Sequence, residues 1–212
     1  TKYLCNLPIL SNGNPIIANF NSTNSLPVLK KITDKNYSIK PVINGNYVYL
    51  VDDYGEISTY LYSDSDMKLL NTFNVRSGPL KMNYADKCLW ILDSVGSGSI
   101  KKVYLENGIP HSFETVIQTD SAPSDFAITE NADAIVTADS FFGIRIFVRT
   151  SDDSYSERGS SSRERENLDG FINCIQIRDN MIFAGESGRE GGLKYINLDS
   201  FTKESVGNYF IV

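Results

Sequence analysis

Histidine is nearly missing from this chain, with 1 in 212 residues, and that scarcity excludes a His-rich metal centre. The one imidazole, His111, would also be the only base available to a catalytic triad. It lies in Asn107-Gly108-Ile109-Pro110-His111, a turn-forming run in which an exposed loop position is expected. The 3 cysteines, Cys5, Cys88 and Cys174, contain no CxxC pair, so a zinc knuckle and a thioredoxin-type redox motif are both excluded. An odd number of cysteines fits free thiols in a reducing compartment. Cys88 and Cys174 stand among apolar strand residues and are expected to be buried and unreactive. No apolar run approaches the roughly 18 residues of a membrane-spanning helix, so no membrane partner is expected. A basic excess is lacking too. With 20 Lys and Arg against 26 Asp and Glu, the net charge of −6 argues against a nucleic-acid partner, whose phosphates are gripped by cations.

What the chain does hold is short apolar segments cut by turns. Tyr and Phe number 12 and 11 against 1 Trp and 3 Met, a balance that favours pleated sheet over helical bundle. The stretch Lys87–Leu105 shows the unit: Cys88, Leu89, Trp90, Ile91 and Leu92 form a strand, Asp93 ends it, Gly96 and Gly98 turn the chain, and Ile100, Val103 and Leu105 return it. Earlier, Asn44-Gly45 marks a hairpin, Tyr47 to Val51 run into Asp52, and Ile57, Tyr60 and Leu61 follow. Later, Ala134 to Ala138 end at Asp139 and Met181 to Ala184 at Gly185-Glu186.

The polar residues that close each second strand are Asn19, Asp52, Asp93, Asp139 and Glu186, at intervals of 33, 41, 46 and 47 residues. A period of about 40 to 50 residues with four strands per unit is the mark of propeller blades. The expected fold is therefore all-β: a β-propeller of about five repeats, or a large part of a six- or seven-bladed one, filling residues 1–212 as a single domain. The closing Tyr209-Phe210-Ile211-Val212 is expected to complete the sheet begun by the N-terminal residues. One stretch departs from the pattern. Residues 151–167 hold almost no apolar side chain except Tyr155 and are rich in Ser and alternating charge, which predicts a polar mobile loop.

On Lys87–Leu105 and Ala134–Val148, the chain resembles the broad WD40-like and NHL-like β-propeller superfamilies, in which a short strand ends in Asp and a Gly-containing turn precedes the next. The resemblance covers roughly residues 39–206 at the level of pattern; the Trp-Asp and Gly-His pairs of standard WD40 repeats are absent. It implies a disc with a central channel and a role in binding proteins.

Three residues are candidate protein contacts. Phe141 and Phe142 are adjacent in a turn, where both cannot easily point inward, and Arg145 follows. Asp52, Asp93, Asp139 and Glu186 would be carried to one face of a propeller. There they could hold a calcium ion, although Asp more often stands at such positions because it caps the next turn. Gly185-Glu186-Ser187-Gly188 lacks the final Gly of a nucleophile elbow, with Arg189 in its place. The leading expectation is a noncatalytic protein-protein interaction scaffold without a cofactor, a platform within an intracellular, cytoplasmic or nuclear, multiprotein assembly. The alternative is a calcium-dependent lactonase-like hydrolase or a sugar-binding propeller using the four carboxylates. A secreted module is the alternative location, resting on the glycosylation sequons at Asn21 and Asn36.

Overall fold

The computed structural model describes residue 35 and residues 37–63, 66–139, 143–161, 171–187 and 192–199, together with strands Tyr3–Leu4, Ile16–Phe20, Val28–Lys31 and Phe210–Ile211. Every regular element among them is a strand. The first three, β1 (Tyr3–Leu4), β2 (Ile16–Phe20) and β3 (Val28–Lys31), form a three-stranded antiparallel sheet. The second sheet is a four-stranded meander of β4 (Val42–Asn44), β5 (Tyr47–Val51), β6 (Glu56–Ser63) and β7 (Asp66–Asn74). The third repeats it with β8 (Pro79–Ala85), β9 (Cys88–Asp93), β10 (Ser99–Glu106) and β11 (Ile109–Gln118). The fourth contains β12 (Asp125–Ile128), β13 (Ala134–Asp139), β14 (Gly143–Arg149) and β15 (Tyr155–Ser161). The fifth contains β16 (Phe171–Arg178), β17 (Met181–Ser187), β18 (Gly192–Asn197) and β19 (Phe210–Ile211).

Local chemistry explains the hairpins. Gly45 takes φ 57° between β4 and β5, and Asp86-Lys87 and Asp179-Asn180 adopt the paired positive φ that a tight two-residue turn requires. Within the sheets, second strands alternate less than outer ones because both faces are covered. All six residues of β9 and of β13 are buried.

The second to fifth sheets stack face to face in chain order. Apolar residues of the second and third sheets, among them Tyr49, Val51, Leu89 and Ile91, form one core. Trp90, Leu92, Phe126 and Ile135 join the third and fourth. Val136, Ile146, Ile172 and Ile182 join the fourth and fifth. First strands lie inside, β4 against β8, β8 against β12 and β12 against β16. Wedges stacked in this way, each a four-stranded meander with its first strand innermost, are the blades of a β-propeller.

Three expectations need correcting. The chain's last strand, β19, pairs with β18 through Lys194↔Ile211 and Tyr195↔Phe210, so it completes the fifth blade and not the N-terminal sheet. The predicted loop of residues 151–167 contains β15, which pairs with β14 through backbone hydrogen bonds that need no apolar side chains; residues 162–170 lie outside the described ones. His111 belongs to the outermost strand β11 and not to a loop, and it is exposed there with its ring 6.4 Å from that of Tyr104.

Candidate functional site

Two places in this architecture collect side chains able to bind something: the face carrying the β5–β6 and β9–β10 turns, and a cavity lined by the first strands β8, β12 and β16.

The face is built first by carboxylates. Asp52 Oδ1 accepts from the N–H groups of Tyr54 and Glu56 at 3.0 and 2.9 Å. Asp93 Oδ1 accepts from Gly78 and Val95, both at 3.0 Å. The turn-capping expectation therefore holds for both. The register adds what spacing could not show. Asp93 stands opposite Ser99 and Ile91 opposite Lys101, so Lys101 reaches Asp93 diagonally on the same side of the sheet, at 2.8 Å. The same step recurs in the next blade, where Asp139 faces Gly143 and Thr137 faces Arg145, giving an Arg145–Asp139 approach of 3.9 Å. It recurs again as the Glu186–Lys194 pair. In the second blade Ser58 occupies the cation's place and accepts a hydrogen bond from Tyr37 Oη at 3.1 Å, while Asp52 takes Lys35 from upstream at 3.3 Å.

Each carboxylate of the expected ring is thus engaged inside its own part of the fold. Among the described residues no group of three His, Cys, Asp or Glu side chains is placed to hold a metal ion. Burial works against ionised Asp93, but the Lys101 hydrogen bond and the Val95 and Gly78 amides outweigh it and hold the carboxyl below its usual range. Arg145, expected as a docking contact, is 6% exposed and is directed to Asp120, Asp139 and Glu157. The structure places it inside the blade, because its register position faces the acid that closes β13.

This face also exposes apolar side chains. Tyr54, in the β5–β6 turn, is 82% exposed, and Val95, in the β9–β10 turn, is 65% exposed. Leu80, near the start of β8, is exposed as well. Blade-to-blade connections share the face: Val75 N–H donates to Gly55 at 2.9 Å, Ser94 to Gly78 at 3.0 Å and Thr119 to Gly98 at 3.1 Å. Gly98, at φ 91°, has no room for a side chain, since a Cβ would lie 2.8 Å from both Pro123 and Thr119. Phe141 and Phe142 fall between β13 and β14, the equivalent turn of the next blade, and lie outside the described residues. Sequence reasoning missed Tyr54 and Val95. The signal was available, since each follows its strand-ending acid by two residues, Asp52 and Asp93, as Phe141 follows Asp139.

A cavity of about 590 Å³ lies between β8, β12 and β16 and reaches β17 and β18. At its polar side Lys81 pairs with Asp125 at 2.6 Å, and Asp125 also accepts from the Ile175 N–H at 2.8 Å, tying three consecutive blades. Cys174, expected to be buried, is exposed and lines this cavity. A bulge between Ile172 and Cys174 shifts the alternation by one, so Ile175 and not Cys174 enters the core. Cys88 is buried as expected, and burial raises its thiol pKa. No helix among the described residues is long and apolar enough to cross a membrane.

No family model matches the chain, and no curated protein matches it. Solved structures do resemble it. The WD40 β-propeller domain of Doa1 superposes with a TM-score of 0.60 at 9% identity, over 89% of this chain and 60% of that one. Hydrazine synthase of Kuenenia stuttgartiensis gives 0.59 at 12% identity, over 81% of this chain and 48% of that one. The computationally designed Ika4 protein gives 0.54 at 14% identity, over 78% of this chain and 93% of that one. The chain therefore spans about half of the hydrazine synthase chain and 60% of the Doa1 domain. At such identities the likeness is one of fold: the chain is an all-β propeller-repeat protein, divergent from the WD40 pattern it resembles.

Proposed function

We propose that this β-propeller is a noncatalytic protein-interaction scaffold, a rigid platform within an intracellular multiprotein assembly, and that it docks through the face bearing Tyr54 and Val95. The observation that carries the reading is the pairing of exposed apolar tips with pinned backbones. A large side chain held out on a fixed turn loses little entropy when a partner covers it, which is how few residues come to dominate an interface. Phe141 and Phe142 are proposed as further contacts from the sequence alone, since Phe141 follows Asp139 by two residues as Tyr54 and Val95 follow Asp52 and Asp93. Asp53 is exposed and Asp120 is 79% exposed on this face, so the matching partner is a protein surface with apolar side chains and a basic rim. The intracellular location rests on the free thiols of Cys88 and Cys174.

Replacing Tyr54 and Val95 together with Ala, or Phe141 and Phe142 together, should weaken retention of the partner by about tenfold or more in a pull-down, while thermal unfolding stays nearly unchanged. Equal retention by both double variants and the unmodified protein would sink this docking face.

The calcium-dependent alternative would draw on Asp52, Asp93, Asp139 and Glu186, which are already engaged by Lys35, Lys101, Arg145 and Lys194. We propose no cofactor. Millimolar Ca2+ or EDTA should leave the melting temperature where it is, whereas a rise with Ca2+ that EDTA reverses would favour the metal reading through linkage.

A further inference from the structure

We infer that the cavity between β8, β12 and β16 is a binding site for a small organic anion with an apolar body, a role beyond the docking of a protein on the turn face. The volume of about 590 Å³ falls within the range of ligand pockets, and the lining offers both apolar side chains, such as Met82, Ile177 and Phe183, and polar ones, such as Lys81, Asn83 and Gln176. Charge selects the class. The charged lining residues are Lys40, Lys81 and Asp125, a net positive cavity in a chain of net charge −6.

The carboxylate of that trio is largely committed. Its oxygens take Lys81 at 2.6 Å, the Phe126 N–H at 2.8 Å and the Ile175 N–H at 2.8 Å, so Asp125 serves to fix Lys81 and has little left for a ligand. Lys81 holds further N–H donors, and Lys40 is exposed with no ion pair among the described residues. A carboxylate, sulfonate or phosphate head is seated by these two ammonium groups, with the Asn83 and Gln176 amides nearby in the lining. The body lies against Phe183 and Leu193, the latter 48% exposed. Gly185 lets Cys174 lie close against β17, since a Cβ there would stand 2.6 Å from Cys174 Sγ.

Cys174 supplies a reporter inside the cavity. The probe is 1-anilinonaphthalene-8-sulfonate, an aromatic sulfonate, added to the folded chain in a Cys5→Ser background. Its fluorescence should rise to saturation. Alkylation of Cys174 by neutral iodoacetamide, read by peptide mass, should slow severalfold at saturation. Lys40→Gln, at an exposed position, should keep the fold by circular dichroism and weaken the probe roughly tenfold, the size expected for a lost charge-assisted contact. Without any probe, the same substitution should lower the rate of Cys174 with anionic iodoacetate relative to iodoacetamide. Absence of saturable binding, binding that leaves Cys174 unprotected, or an affinity unchanged by Lys40→Gln would each overturn the assignment. None of these outcomes depends on Tyr54 or Val95, so failure here leaves the docking proposal standing.

Discussion

Lys101→Met should cost about 3–5 kcal/mol of folding stability, because it strips the cation from a buried carboxylate and leaves the charge uncompensated. Asp93 is 4% exposed, and Lys101 is its partner at 2.8 Å. The ammonium also donates to the carbonyls of Val75 and Arg76 at 3.2 and 3.0 Å, so the substitution loosens the junction between second and third blades as well. Denaturant unfolding followed by fluorescence of Trp90, the only Trp, measures it directly. Asp93→Asn in the same chain should return part of the loss, since an amide has no charge to strand. If the double variant is as unstable as the sum of both single ones, the pair is not coupled.

The same carboxylate sets an acid dependence. Its folded pKa lies below the ordinary Asp value, so the stability it contributes is fully present above that ordinary value and is lost as pH falls through the lower, folded one. Asp93→Asn should therefore flatten the stability profile below about pH 4 and leave its shape near neutrality unaltered.

Trp90→Ala should cost a similar ~3–5 kcal/mol, here through a cavity and not a charge. The side chain is 0% exposed, its Nε1 donates to the Ala85 carbonyl at 3.0 Å, and its ring meets Tyr155 of the next blade edge-on at 5.9 Å. Tyr155 in turn donates to the Ala132 carbonyl at 2.5 Å. Trp90→Ala and Tyr155→Ala, followed by thermal melting, should be non-additive, since the second substitution removes a contact the first has already lost. Simple additivity would mean that β9 and β15 do not share an interface.

The strand pattern was legible because Tyr47–Val51, Cys88–Asp93 and Ala134–Asp139 each pair a buried apolar run with a turn residue whose chemistry is local. The acids closing those runs were legible for the same reason. Their cations were not. Lys101, Arg145 and Lys194 meet Asp93, Asp139 and Glu186 only through strand register, which a linear reading cannot supply. Cys174 was misplaced because one bulged residue reverses the side that every later side chain faces. The polar strand β15 was read as a loop because an outer strand needs backbone pairing and one anchor, Tyr155, far more than apolar content. Of the proposed docking residues, Phe141 and Phe142 stood out as a pair; Tyr54 and Val95 are single apolar residues in turns, marked in the sequence only by their spacing from Asp52 and Asp93.

The central claim is that successive meanders pack as wedges, so that outer strands of neighbouring blades run side by side. Phe73 of β7 and Phe113 of β11 test it, with ring centroids 6.2 Å apart across the second and third blades. With Cys5 and Cys174 replaced by Ser, the Phe73→Cys/Phe113→Cys chain should be bridged within one molecule by a short bis-maleimide, giving a single linked peptide pair by mass spectrometry. Two thiols that each react singly, with no internal bridge in a chain still folded by circular dichroism, would contradict the wedge packing.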